Sequence, residues 1–134
     1  MALTVPNKGA QELLKRALNV SATGDVVLRL YKNNVTIAET TALANVTQAD
    51  FTGYSAITLT GASWTVTDAD PSVASYAKQT FTSSAGSQNQ DVYGYYLTNS
   101  GNTIVLWIEA FSDGPYNIAN NGDKIEVTPS ISLD

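Results

Sequence analysis

The stretch VYGYYLTNSGNTIVLWIEAF, residues 92–111, decides how this chain is read. Two runs rich in aromatic and β-branched residues, Val92–Thr98 and Thr103–Phe111, flank Asn99, Ser100, Gly101 and Asn102, which supply the positive φ angles and local hydrogen bonds of a tight turn. The spacing predicts an antiparallel hairpin. In its second arm Ile104, Leu106 and Ile108 fall on one face, and Val105 and Trp107 fall on the other with Glu109. That arm is apolar on both sides, as a central or interface strand must be. In the first arm Tyr93 and Tyr95 share a face while Tyr96 stands with Gly94, which predicts a tyrosine pair facing in and Tyr96 facing out.

Alternation continues on both sides of the hairpin. Asp25–Lys32 reads as a strand with Val26, Leu28 and Leu30 opposite Val27, Arg29 and Tyr31; Asn33 and Asn34 suit a turn, and Val35 with Ile37 begins a short returning strand. Residues 39–54 read as a loop. Ala56–Thr60 and Ser63–Thr67 are two short strands, Val73–Thr82 alternates throughout, and residues 83–91 form a polar tip. Asn120, Asn121, Gly122 and Asp123 mark another turn, and Lys124–Leu133 places Ile125, Val127, Ile131 and Leu133 around a bend at Pro129. Only residues 9–19 read as helix: Ala10, Leu13, Leu14, Ala17 and Leu18 form an apolar stripe, with Gln11, Glu12, Lys15 and Arg16 opposite and Asn7 as N-cap. The expectation is one domain over residues 1–134, mainly β, an antiparallel β-sandwich of jelly-roll type with one short N-terminal helix.

A chain of 134 residues with no Cys and no His has no thiol or imidazole chemistry, no disulfides and no Cys/His zinc pattern. Two carboxylates facing each other could serve a glycosidase, but Asp68 and Asp70 flank Ala69 just before Pro71 in a turn pattern and the other acids are scattered. Ser75-Tyr76-Ala77-Lys78 matches S-x-x-K, yet in a strand these two residues point to opposite faces, and the companion motifs are missing. No catalytic residue, cofactor or enzyme activity is therefore expected. Calcium could use Asp68 with Asp70, or Asn120, Asn121 and Asp123, but neither set has the EF-hand spacing, and turn formation accounts for both. Trp64, Trp107, Tyr93, Tyr95, Tyr96 and Phe111 are read first as core or subunit interface and second as a platform for sugar rings.

The formal charge is −5, and the only adjacent basic pair is Lys15-Arg16, so a nucleic-acid partner is not expected. No apolar run reaches the ~18 residues of a membrane span, and Pro6, Asn7 and Lys8 interrupt the place of a signal-peptide core. A soluble protein made in the cytoplasm follows, with no membrane partner. Only 14% of the residues are charged, against about 25% in typical soluble domains. Strand edges with so few charges are poorly protected against pairing, and symmetric assembly would cover them. Residues 1–8, apolar at Leu3, Val5 and Pro6, are a candidate arm that reaches a neighbour. Leu3, Val5, Pro6, Leu13, Leu14 and Trp107 form the candidate interface to a shell protein or between copies.

Several segments carry a resemblance. The opening Ala2-Leu3-Thr4-Val5-Pro6-Asn7 with Glu12-Leu13-Leu14, then Leu28-Arg29-Leu30-Tyr31 with Asn33-Asn34, and Ala49-Asp50-Phe51-Thr52-Gly53-Tyr54, resemble small virion proteins of tailed phages, especially those of aquatic bacteria. Tyr93-Gly94-Tyr95-Tyr96, Leu106-Trp107-Ile108-Glu109-Ala110-Phe111 and Asn121-Gly122-Asp123 extend the likeness along nearly the whole chain. The resemblance implies a bacteriophage head decoration or cement protein, a structural homotrimer that binds the major capsid protein on the outer surface of the virion head. The alternative is a tail or fibre module that binds carbohydrate.

Overall fold

The 92–111 hairpin forms the middle of the molecule in a computed structural model that describes residues 3–17, 24–69 and 71–133. The described elements are α1 (Asn7–Ala17), β1 (Val26–Tyr31), β2 (Ile57–Leu59), β3 (Thr65–Thr67), β4 (Ser72–Ser75), β5 (Gln79–Thr82), β6 (Gln90–Val92), β7 (Gly94–Thr98), β8 (Val105–Ala110), β9 (Tyr116–Ile118), β10 (Lys124–Val127) and β11 (Ser130–Leu133). The chain is mainly β, every strand pairing is antiparallel, and the arrangement is sandwich-like. The largest sheet has the order β2-β1-β7-β8; the other strands pair as β11-β4-β3, β10-β5 and β6-β9. These pairings do not trace the two four-stranded sheets of a regular jelly roll, because the strands opposite the main sheet divide into short pieces.

The main sheet is buried on both faces. One face, with Leu28, Leu30, Tyr95, Leu97 and Trp107, packs against Phe81, Val92, Ile118, Ile125 and Val127 from the smaller sheets. The other face carries Tyr31, Tyr96, Val105 and Ile108 and is covered by Val35, Ile37, Leu43 and Val46. Tyr96 is therefore not directed to solvent as the alternation implied: it is 1% exposed, because the segment after β1 folds over it. For the same reason Val35 and Ile37 do not form a returning strand. They belong to an irregular cover that Asn33 ties down, its Nδ2 donating to the Asn45 carbonyl (2.8 Å) and its Oδ1 accepting from the Thr47 N–H (2.7 Å).

A bulge between Leu97 and Thr98 sets Leu97 opposite Trp107 but Thr98 opposite Val105, so strict alternation along β8 breaks at Leu106. Leu106 and Trp107 consequently join the same cluster, and Val105 joins Ile108 in the other. The 73–82 pattern divides into β4 and β5, which belong to different sheets, and 124–133 divides into β10 and β11 on either side of Pro129. β2 and β3 likewise pair with different partners rather than with each other. β9 has no counterpart in the sequence reading.

The helix starts two residues before the predicted position. The Pro6 carbonyl accepts from the Ala10 N–H (2.8 Å), and Asn7, rather than capping, spends its own N–H on the Glu39 carbonyl (2.8 Å). The predicted end at residues 18–19 lies outside the described residues. Glu12, expected on the solvent side, is 6% exposed. Arg16 lies on it at 3.8 Å and donates from Nη1 to the Gly24 carbonyl (3.0 Å). The helix lies so close to β8 that a Cβ at Gly9 would strike the Val105 and Leu106 carbonyls, and one at Gly94 would strike the Glu109 carbonyl and the Tyr31 ring.

Backbone atoms cannot give way as a flexible side-chain tip can. Gly9→Ala and Gly94→Ala should each lower stability by at least about 1–3 kcal/mol, the cost of overpacking. The urea midpoint should fall at unchanged m-value, and a wild-type midpoint in either variant would contradict the close approach.

Candidate functional site

Five of the six residues singled out as an interface, Leu3, Val5, Pro6, Leu13 and Trp107, occupy the fold's interior or its lining. Thr4 bridges to Ile108, with Thr4 N–H to Ile108 C=O at 3.0 Å and the reverse bond at 2.9 Å, so residues 3–6 add a rung to the β8 edge. Leu3 and Val5 pack on the main core, and Pro6 is fully buried. The expectation of a free arm is thereby corrected for the described part of the segment, because an unpaired β8 edge and an uncovered core attract it inward. Leu13 packs on the same core, whereas the side chain of Leu14 lies outside what is described. Trp107, 3% exposed and with a ring centroid 6.1 Å from that of Trp64, is a core residue and not an exposed contact.

A cleft of about 280 Å³ opens beside this N-terminal rung, lined by Leu3, Val73, Glu109, Ser130, Ile131 and Ser132. Glu109 is held here because it pairs with Tyr95 across the β7–β8 ladder, and the Tyr95 hydroxyl donates to its Oε2 (2.6 Å). The Tyr31 hydroxyl donates to the Glu109 backbone carbonyl (3.3 Å). Burial, then the neighbouring Glu109 charge, pushes Tyr31 up to about 12. Burial and the bond to Glu109 raise Tyr95. Burial also pushes Tyr96 up to about 12. All three stay protonated throughout the physiological range, and Tyr31 and Tyr95 act there as donors to Glu109.

The acidic side chains with resolved shifts brace loops. Hydrogen bonds from Lys32 (2.7 Å) and Gln90 (2.6 Å) hold the Asp50 carboxyl below its ordinary range. The Asn120 and Ala119 N–H groups, at 2.7 and 2.9 Å, do the same for Asp123. The 120–123 segment is thus the predicted turn, with Gly122 at φ 90° and Asp123 Oδ2 engaged by the backbone. Asp70, half of the other candidate calcium pair, lies outside the described residues. Ser75 and Lys78 do not meet: Ser75 lies in β4, and Lys78 pairs with Glu126 on the surface (3.2 Å).

A second cleft, also about 280 Å³, is lined by Tyr31, Asn34, Val35, Tyr93, Phe111 and Pro115 among others. Phe111 stacks obliquely on Tyr116, with centroids 5.1 Å apart. Of the aromatics proposed as a sugar platform, only Tyr93 and Phe111 reach this cleft; Trp64 packs on Tyr76 at 5.2 Å, and Tyr95 and Tyr96 are buried. The sequence gives no signal for Asn34 or Pro115, which join the cleft through the irregular cover and the loop after β8.

Removal of residues 1–6 should destabilise the body rather than merely release an appendage, since it strips Leu3, Val5 and Pro6 from the core. About 2–4 kcal/mol is expected from their burial, and a truncated chain that melts at the wild-type temperature would contradict this. Alkaline pH should also destabilise. Tyr31 and Tyr96 hold their protons to about 12 when folded, whereas an unfolded tyrosine loses its proton near 10. Stability is then fully present below pH 10 and falls as pH rises toward 12. Unfolding midpoints measured from pH 8 to 12 would show the drop, and a flat profile would refute it. Comparison of the chain with family models, with curated proteins and with solved structures finds no match.

Proposed function

We propose that this chain is a tailed-phage head decoration protein, a structural component that binds the major capsid protein from outside and associates as a homotrimer. The observation that carries the reading is the combination of a sheet covered on both faces with a surface of few charges. Such a body is stiff, and it offers polar, uncharged side chains and strand edges as its means of contact. A net charge of −5 favours the outside of a DNA-filled shell over its lumen, where packaged phosphate would repel it. Cementing a shell requires many modest contacts acting together rather than an active site. The resemblance to phage virion proteins points the same way.

The rival is a carbohydrate-binding module of a tail or fibre. The cleft formed by Tyr93, Phe111 and Pro115 with Asn34 favours it, since aromatic faces beside an amide are the usual complement of a sugar ring.

Purified protein mixed with DNA-emptied heads of a tailed phage should sediment with them and appear as protrusions at regular lattice points by cryo-microscopy. Mass measurement of the free protein should give three copies. Failure to bind heads while binding on a glycan array, lost on Phe111→Ala, would transfer the assignment to the carbohydrate module. Failure of both would remove both readings.

A further inference from the structure

β3 is an open edge. Its three residues Thr65, Val66 and Thr67 are exposed, and Val66, 72% exposed, is the most exposed large hydrophobic residue among those described. The hydrogen-bond phase of this edge follows from its neighbours. The Tyr76 N–H donates to the Pro129 carbonyl (2.9 Å), continuing the β4–β11 ladder by one rung in the register Ser75↔Ser130 and Ala74↔Ile131. Hydrogen-bonded pairs alternate along an antiparallel ladder, so Ala74 bonds toward β11 while Ser75 and Val73 bond toward β3. Thr65 and Thr67, opposite Ser75 and Val73, spend their backbone groups on β4. The N–H and C=O of Val66 therefore point outward with no strand to receive them.

The sequence around Val66 reads the same in both directions: Thr-Val-Thr. We infer that β3 pairs antiparallel with β3 of a second copy of this chain across a two-fold axis at Val66, joining two three-stranded sheets into one of six. The two Val66 residues form the hydrogen-bonded pair, exchanging both N–H···O=C bonds, and their side chains become cross-strand neighbours. Each Thr65 meets Thr67 of the second copy in the closer, non-hydrogen-bonded positions, where paired threonines are favourable. No charge interrupts the strand. One rung further, Asp68 stands opposite Trp64 of the second copy, so the two Asp68 carboxylates do not face each other. Trp64 fixes the start of the strand through its packing on Tyr76 and Trp107. An unrelated extended peptide could use the free Val66 groups, but a second copy brings the same exposed edge with its own outward Val66 groups already in the matching phase.

Three residues from each copy bury less than the roughly 1,200 Å² of a stable interface, so the contact is weak in solution. It is distinct from a three-fold association and doubles whichever unit carries it, one copy to two or three to six. It does not depend on the decoration reading and is tested without phage heads.

Sedimentation velocity over a concentration series up to about 1 mM should show the wild-type mass doubling. Val66→Lys, which sets two like charges opposite each other, and Val66→Pro, which removes the outward donor at an edge position that tolerates proline, should weaken the doubling at least about tenfold. Val66→Thr should retain it. Hydrogen exchange of the wild type gives a second readout free of folding effects: the Val66 amide should gain protection as concentration rises. A wild type that never doubles, a doubling untouched by Val66→Lys and Val66→Pro, or an amide indifferent to concentration would overturn the pairing. So would a chain that stays single while binding extended peptides at this edge.

Discussion

A sheet covered on both faces must satisfy most of its polar groups from within, and this constraint shapes the rest of the structure, the buried Trp107 Nε1 being the exception on its strands. Thr98, fully buried at the bulge, accepts from Arg29 Nε (3.1 Å). The Tyr54 hydroxyl accepts from the Leu30 N–H (3.1 Å), and Tyr31 and Tyr95 both donate to Glu109, one to its backbone and one to its carboxylate. Tyr31, Tyr54 and Tyr95 thus combine ring area for the core with a hydroxyl that closes an otherwise open hydrogen bond. That dual use explains how a sheet with few charges can be buried twice over. It also explains why helix, cover and small sheets approach it so closely, down to glycine-only contact at Gly9 and Gly94.

Much of the local structure was legible. The Asn99–Asn102 turn, the two-sided apolarity of β8, the presence of the N-terminal helix and the bend at Pro129 are properties of neighbouring residues, which periodicity reports directly. The errors arise where a distant segment decides. Alternation placed Tyr96 correctly on the face opposite Tyr95, but could not reveal that residues 35–46 cover that face. One extra residue at the bulge moved Trp107 and Leu106 onto the same cluster, which a period of two cannot encode. The N-terminal segment was apolar and short, equally consistent with reaching outward or closing inward, and the unpaired edge of β8 resolved it inward. The Tyr93–Phe111 cleft was illegible because its residues come from segments distant in sequence, two of them without regular structure.

A body of this kind presents function at its margins. Its polar side chains largely hold loops: Asp50 ties residues 32 and 90 together, and Asp123 closes its own turn. What remains outward is a set of short strands and several modest clefts, features suited to contact with other surfaces. The cleft beside the N-terminal rung and the aromatic cleft border successive residues of β8, Glu109 and Ala110 respectively.

The cover over Tyr31 and Tyr96 has one further consequence. It follows residue 31 without forming a ladder of its own, apart from the bridge between Tyr31 and Gln48; Asn33 ties its two ends together, the Glu39 carbonyl takes the Asn7 N–H, and Val35, Ile37, Leu43 and Val46 press on the rings beneath. Such a segment is fixed by burial and a few bonds rather than by a ladder, so lifting it would forfeit the burial of those four side chains while leaving the strand pairings beneath intact. Detached, it would bare an aromatic slab facing water, so the same peptide that completes the interior also guards against clumping during synthesis and heating.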